Sequence, residues 1–445
     1  MKSCRQYPGA LADFVHFTSL EAISLSYRKR AATGFLFTAI LSLSAVTAGD
    51  AADRTTATQA ESAAGQTVSR GLSYRLTGSE RRSYNYDAKS EIQAYAQLVA
   101  DSYGAALIDA QLLKAATDAF LAMPSDETLL RARDAWRIAR RSWEQTEAFR
   151  FYDGPIDISD TGAGPLERMD GWPVDPAVID YVQNNPTSGI INNMKLAVTR
   201  ATLASQSTPA GGSRSVTTGW HVIEFLLWGQ EVPLAGEPGD RPVTDYLPGQ
   251  PNNDRRRTYL KLSVDLLIDD MRYLVESWDA RSPSSYSTAF RVLNQREALG
   301  RILNGIAQLA GKELATNRLA SALDSKDFRM LTSRFSVNSE QDLIFALRGI
   351  RNVWTGDQGG ETRPGLSVLL TRVDPALAQR ISHTLNHAEE SMGALRTPLE
   401  RETLPAAPNT PARQSAERAI ADLKRLAGLI RDAGVKLGVA VTLPN

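Results

Sequence analysis

Beyond residue 85, apolar residues recur three and four positions apart in one segment after another, and the alternation that marks strands is scarce. This period restricts the chain to an all-α architecture. The spacing predicts helices over 88–103, 106–122, 126–149, 177–204, 215–229, 255–277, 287–322, 340–353, 365–395 and 411–433. In the third of these, Ser125 follows Pro124 and precedes Asp126 and Glu127, which gives an N-cap with acids in the first turn. Leu129, Ala132, Trp136, Ala139 and Trp143 then form one buried stripe of a bundle helix. Four residues further, the stripe reaches Glu147. A carboxylate there faces the core unless the helix has already ended, and a buried acid is costly without a partner.

Two helical bundles in tandem are expected, at 86–280 and 285–445. DAWRIARRSWEQ (134–145) is echoed by LIFALRGIRNVWTG (343–356), each an Arg-rich helix closing on Trp, and a Pro- and Ser-bearing stretch at 279–285 would divide them. Ahead of the bundles, Arg28, Lys29 and Arg30 precede an apolar run at 34–48 that ends in small residues. That is the pattern of a cleaved signal peptide, here over 1–48 with a long leader. The alternative is a buried N-terminal helix. Residues 49–85 turn to Ala, Thr, Ser, Gln and Gly without an apolar period and read as a disordered tether. The apolar run is short for a bilayer, so no transmembrane helix is expected in the mature chain.

Composition removes several chemistries. Lys plus Arg equal Asp plus Glu at 50 each, which gives no sign of a nucleic-acid partner. Cys4 is the only cysteine, so the body of the chain has no disulfide framework, thiolate metal site or cysteine nucleophile. There is no HExxH, no GxSxG, no phosphate loop and no dinucleotide fingerprint.

The informative segment is GWHVIEFLLWGQ (219–230). A helix places His221 and Glu224 on one face at i and i+3, with Thr217 and Trp228 on the same side. The rest of the circumference is apolar, so imidazole and carboxylate are both buried and need partners. A metal ion satisfies both; so does a polar core layer in which they bind each other and nearby arginines. Gly219 would let another backbone or a ligand approach closely. Arg150 and Asp153 follow Glu147 in a long Gly-, Pro- and Asp-rich loop at 149–176 and could add charge to the same pocket, or form an ordinary ion pair. His383 and His387, at i and i+4 in polar surroundings, read as a solvated helix face.

The segment resembles the G-x-H-x-x-E signature of the imelysin family, which includes the iron-regulated protein A type and the insulin-cleaving metalloproteinase type. Further blocks at 144–157, 171–182, 240–247, 255–271, 298–323 and 335–356 are similar to the family in the same order, from about Tyr86 onward. The resemblance implies an all-helical protein of two four-helix-bundle-like halves, exported to the bacterial cell envelope, periplasmic or associated with the outer membrane through a partner. It also implies a peptidase classification (the M75 type) and a link to iron. His221 and Glu224 match the signature pair, Gly219 its glycine, Glu147 the acid before Phe-Arg-Phe, and Glu313 and Arg318 the acid and base of the second-half block. RMLTSRFSVNSEQD (329–342) departs from the iron-regulated type, since it has neither His nor Cys where that type has both; Asp342 is retained.

The expectation is therefore a metal-binding envelope protein in iron handling or uptake, with His221, Glu224 and Glu147 as ligands and iron favoured over zinc. One alternative is a metallopeptidase with Glu224 or Glu147 as general base. Another is a metal-free module that holds a peptide or glycan.

Overall fold

A computed structural model describes residues 86–443 apart from 161, 207–208, 211–212, 215 and 233–235; the expected signal peptide and tether lie outside the described residues. Ten helices carry the architecture: α1 (Lys89–Ala122), α2 (Asp126–Glu144), α3 (Leu166–Asp170), α4 (Trp220–Trp228), α5 (Pro251–Ser277), α6 (Gln295–Gln308), α7 (Ser339–Thr355), α8 (Leu366–Val373), α9 (Pro375–Gly393) and α10 (Pro411–Leu437). The strands among the described residues are two-residue pieces in three antiparallel hairpins. One apolar core runs from Ala88 to Val439. The fold is all-α, as the period predicts.

α1 packs on α2 and α5, while α10 packs on α9 and α6. α7 touches members of both groups, lying against α2, α9 and the turn that follows α2. The α2 stripe is buried as expected, with Trp136 and Trp143 fully enclosed. Ser125 caps α2 in a reciprocal box, accepting from the Thr128 amide while Thr128 Oγ1 accepts from its own. No helix among the described residues is long and apolar enough to cross a membrane.

Several expected boundaries move. The helices at 88–103 and 106–122 are one, because Gly104 lies in open space and a single glycine costs only about 1 kcal/mol relative to alanine. The helix at 365–395 is two, interrupted at Asp374, whose side chain caps the Leu377 amide ahead of Pro375. The helix at 287–322 breaks at 292–294, and its later half widens into a π-helix at Leu309–Ala320.

The expected helix at 177–204 is replaced by three short ones, Pro176–Ile179, Gly189–Asn192 and Arg200–Gln206. A buried ion cluster pulls the chain out of helical register. Asp180 is fully enclosed and accepts from Arg241 at 2.8 Å and from Arg256 Nε at 2.6 Å. Burial raises its carboxyl, but Arg241 and Arg256 outweigh that and hold it below the usual range.

Candidate functional site

The site begins where α2 ends. After Glu144 the chain tightens into a 3-10 turn, Gln145–Phe149. Three residues per turn set Glu144 and Glu147 one above the other, so the helix end turns both carboxylates inward instead of releasing the second to a loop. Both are fully buried. Gly349 of α7 makes room for this turn: a β-carbon there would lie 2.3 Å from the Gln145 carbonyl oxygen.

A second glycine brings the third acid. Gly219, at φ 91°, starts α4, and a β-carbon on it would lie 2.3 Å from the Met169 carbonyl oxygen. The expected close approach is therefore a backbone, that of α3, and it sets Asp170 beside His221. His221 Nε2 is 3.4 Å from Asp170 Oδ1, and Nδ1 is 3.2 Å from Glu224 Oε2. The other oxygen of Glu224 accepts from the Ser336 amide at 2.8 Å and from Ser336 Oγ at 2.7 Å. Glu224 is thus partnered on both oxygens.

Three buried arginines thread the acids. Arg140 of α2 pairs with Glu144 and Asp170, and its Nη2 is 3.4 Å from His221 Nε2 and 3.5 Å from Asp342 Oδ2. Arg150 reaches Glu147 at 2.9 Å and Asp170 at 2.8 Å. Arg318, projecting from the π-helix, reaches Glu147 at 2.6 Å and Glu144 at 3.5 Å. Asp342 is held by Thr332 Oγ1 at 2.7 Å, Ser333 Oγ at 2.5 Å and Asn338 Nδ2 at 3.1 Å. Trp143 closes the floor, its indole donating to Asp170 at 2.9 Å.

Electrostatics separate the acids. Burial pushes the Glu144 carboxyl well above its ordinary value, and the Glu147 charge beside it adds to this against the pull of Arg140. Burial acts the same way on Glu147, but Arg318 and Arg150 outweigh it and leave that carboxyl below the usual range. Asp170 is also raised by burial, yet Arg140, His221 and Arg150 hold it well below. For His221, burial and Arg140 disfavour the cation, and the hydrogen bonds to Asp170 and Glu224 prevail, so its pKa is raised.

Glu144, Glu147 and Asp170 each offer an oxygen within 4.8 Å of the other two. Both oxygens of Glu144 and Oε2 of Glu147 are buried without a hydrogen-bond partner of proper geometry. Five carboxylates (Glu144, Glu147, Asp170, Glu224, Asp342) share the cluster with three guanidiniums, an excess of two acids that protons on Glu144 and His221, whose pKa values are both raised, would balance. A dication bound in place of those protons would supply the same charge.

Of the residues singled out in the sequence, His221, Glu224, Glu147, Arg150, Arg318 and Asp342 converge here. Glu313 is half-buried one turn from Arg318, adds to its charge environment and accepts from Asn317 at 2.9 Å. Asp153 stays in the loop at φ 58°, outside these ion pairs. His383 and His387 are exposed, and His387 meets Glu390 at 3.3 Å on the surface. Glu144, Asp170 and Arg140 were not singled out. The signal for Glu144 was its i,i+4 spacing from Arg140 on α2; Asp170 lay in a loop marked only by its length.

The sequence profile of the imelysin family (Peptidase_M75) matches residues 99–430. The chain belongs to the imelysin family. Iron-regulated protein A of Synechococcus elongatus is 25% identical to this imelysin-family chain over 316 residues, which cover 68% of this chain and 74% of that protein. Among solved structures, one described as an iron-regulated protein A precursor from Parabacteroides distasonis superposes with a TM-score of 0.60 at 22% identity, covering 79% of this chain and 97% of the other. An imelysin-like protein from Psychrobacter arcticum gives 0.55 at 15% identity, covering 81% and 100%. These likenesses support the imelysin-like fold. His221 and Glu224 of this family member lie in the arginine–carboxylate cluster.

Proposed function

We propose that this imelysin-family protein binds a metal ion as cargo between Glu144, Glu147 and Asp170 and serves iron handling in the cell envelope. The observation that carries this reading is the trio of buried carboxylates, each with an oxygen within 4.8 Å of the other two, with Oε2 of Glu147 lacking a hydrogen-bond partner. An apolar protein interior tolerates such oxygens poorly unless a cation completes them. Carboxylate oxygen suits hard cations, with His221 beside Asp170 as a nitrogen donor suited to iron. Iron is favoured because relatives are described as iron-regulated proteins; zinc is the competing ion.

In this reading Glu224 is a positioning residue. Its two oxygens tie α4 to Ser336 and orient His221 toward Asp170. Arg140, Arg150 and Arg318 hold the three acids in place and leave the cluster short of positive charge. When bound, the ion supplies that charge; the residues bind, orient and exclude water.

Arg28 to Arg30 and the apolar run at 34–48 support export before the protein acts. Intact mass of the protein recovered from the envelope tests this, with cleavage near Ala48 expected. Anaerobic calorimetric titration with ferrous iron tests the site. One equivalent should bind the wild type and be lost in Glu147→Gln. Equal binding by both would overturn the assignment.

A further inference from the structure

The chain turns sharply just where it delivers Arg150 to the cluster. Arg150 itself is extended, at φ −106° and ψ 177°, and Phe151 follows at φ 69° and Asp153 at φ 58°. A left-handed conformation at a bulky aromatic residue is an outlier, because the β-carbon crowds the following carbonyl oxygen. Strain of this kind persists only where the surrounding structure enforces it.

α6 supplies the enforcement. Asn304 Nδ2 donates to the Phe151 carbonyl at 2.9 Å, across 153 residues of sequence. The adjoining Gly305 lies against the same turn: a β-carbon there would be 2.9 Å from the Ala148 carbonyl oxygen and 3.0 Å from that of Arg150. The Asn304 amide is fixed in direction as well, since its Oδ1 accepts from the Thr442 amide at 3.1 Å, on the tail beyond α10. Asp157 Oδ2 also accepts from the Tyr152 and Gly154 amides, at 3.4 Å in both cases.

Arg150 depends on that turn. Its guanidinium bridges Glu147 and Asp170 with the Trp143 ring 5.7 Å away, and its Nε is buried without a hydrogen-bond partner. The two carboxylates hold the side chain at one end and the backbone aims it from the other. We propose that Asn304 is a positioning residue: by holding the Phe151 carbonyl it keeps the strained turn closed and Arg150 set between Glu147 and Asp170. The consequence for cation affinity rests on the trio being a cation site; the consequence for Arg150 does not.

Exchange of the Arg150 guanidinium protons with solvent, followed by nuclear magnetic resonance in the metal-free full chain and assigned with Arg150→Lys, tests this. Exchange should be slow in the wild type and about tenfold faster in Asn304→Leu. It should slow again in Asn304→Leu/Phe151→Gly, where glycine adopts the left-handed turn without steric cost. A role in packing alone would not be rescued by removing a second side chain. Far-UV dichroism should be unchanged, and Asn304→Ala takes the place of Asn304→Leu should that variant not fold. Wild-type exchange in the folded Asn304 variant, or fast exchange that persists in the double variant, would overturn the proposal. In a ferrous iron titration, affinity should fall about tenfold in Asn304→Leu and recover in the double variant. No iron bound by the wild type would overturn the trio as a cation site, and the Arg150 exchange would still decide the role of Asn304.

Discussion

Arg318 donates to Glu147 at 2.6 Å across 171 residues of sequence, joining the π-helix after α6 to the turn after α2. Both side chains are nearly or fully buried. The pair therefore fixes the site and couples distant parts of the chain. Replacing Arg318 with methionine keeps the volume but leaves Glu147 with Arg150 alone, and losing one partner of a buried pair costs about 3–5 kcal/mol. Urea denaturation should show a loss of that size at pH 7. It should shrink as pH falls through the lowered folded value of Glu147, where the carboxylate takes up a proton.

Gly219→Ala forces a β-carbon into the Met169 carbonyl and an unfavourable φ. The cost should exceed the roughly 1 kcal/mol of an ordinary incompatible glycine replacement, because α3 must shift as well. A lower melting temperature with reduced metal content is expected, since α3 carries Asp170. A variant that melts like the wild type would contradict the close approach.

Two glycines and a histidine–glutamate pair were legible in different degrees. Period-three and period-four spacing revealed the all-α class and the burial of α4, because an apolar circumference leaves a helix nowhere else to go. It could not reveal that Gly219 admits α3 or that Gly349 admits the turn at 145–149, since the partner backbone lies 50 residues away in one case and 204 in the other. The helix expected at 177–204 failed partly for a related reason, since Asp180 binds arginines 61 and 76 residues ahead, and partly because Pro186 and Gly189, at φ 86°, break the helix locally. His221, Glu224 and Glu147 stood out as polar residues on apolar faces. Asp170 sat in a loop with no period to violate.

Stability should depend on pH on both sides. His221 has a raised folded pKa, so its contribution is fully present below the unfolded value of about 6.5 and is lost as pH rises through the folded value. Glu147 and Asp170 have lowered values, so theirs is present above the unfolded range near 4 and is lost as pH falls through the folded values. The urea midpoint of metal-free protein should fall at both ends. His221→Gln should remove its share of the alkaline limb, to which the raised Glu144 carboxyl also contributes, and leave the acid limb in place.

Asp180→Asn serves as a control away from the trio. Arg241 and Arg256 lose their shared buried anion, although Arg241 keeps Asp245 at 3.0 Å. A loss of about 3 kcal/mol in urea is expected, with metal stoichiometry unchanged in the folded fraction. Loss of metal at equal foldedness would mean the two clusters are coupled.

Elemental analysis of protein purified without a histidine tag, beside Glu144→Gln/Glu147→Gln, is the most direct test of the metal assignment. The account predicts about one iron per wild-type chain after loading and almost none in the folded double variant. No metal in the wild type after loading, or full metal in the double variant, would contradict it and leave the arginine–carboxylate cluster as core architecture.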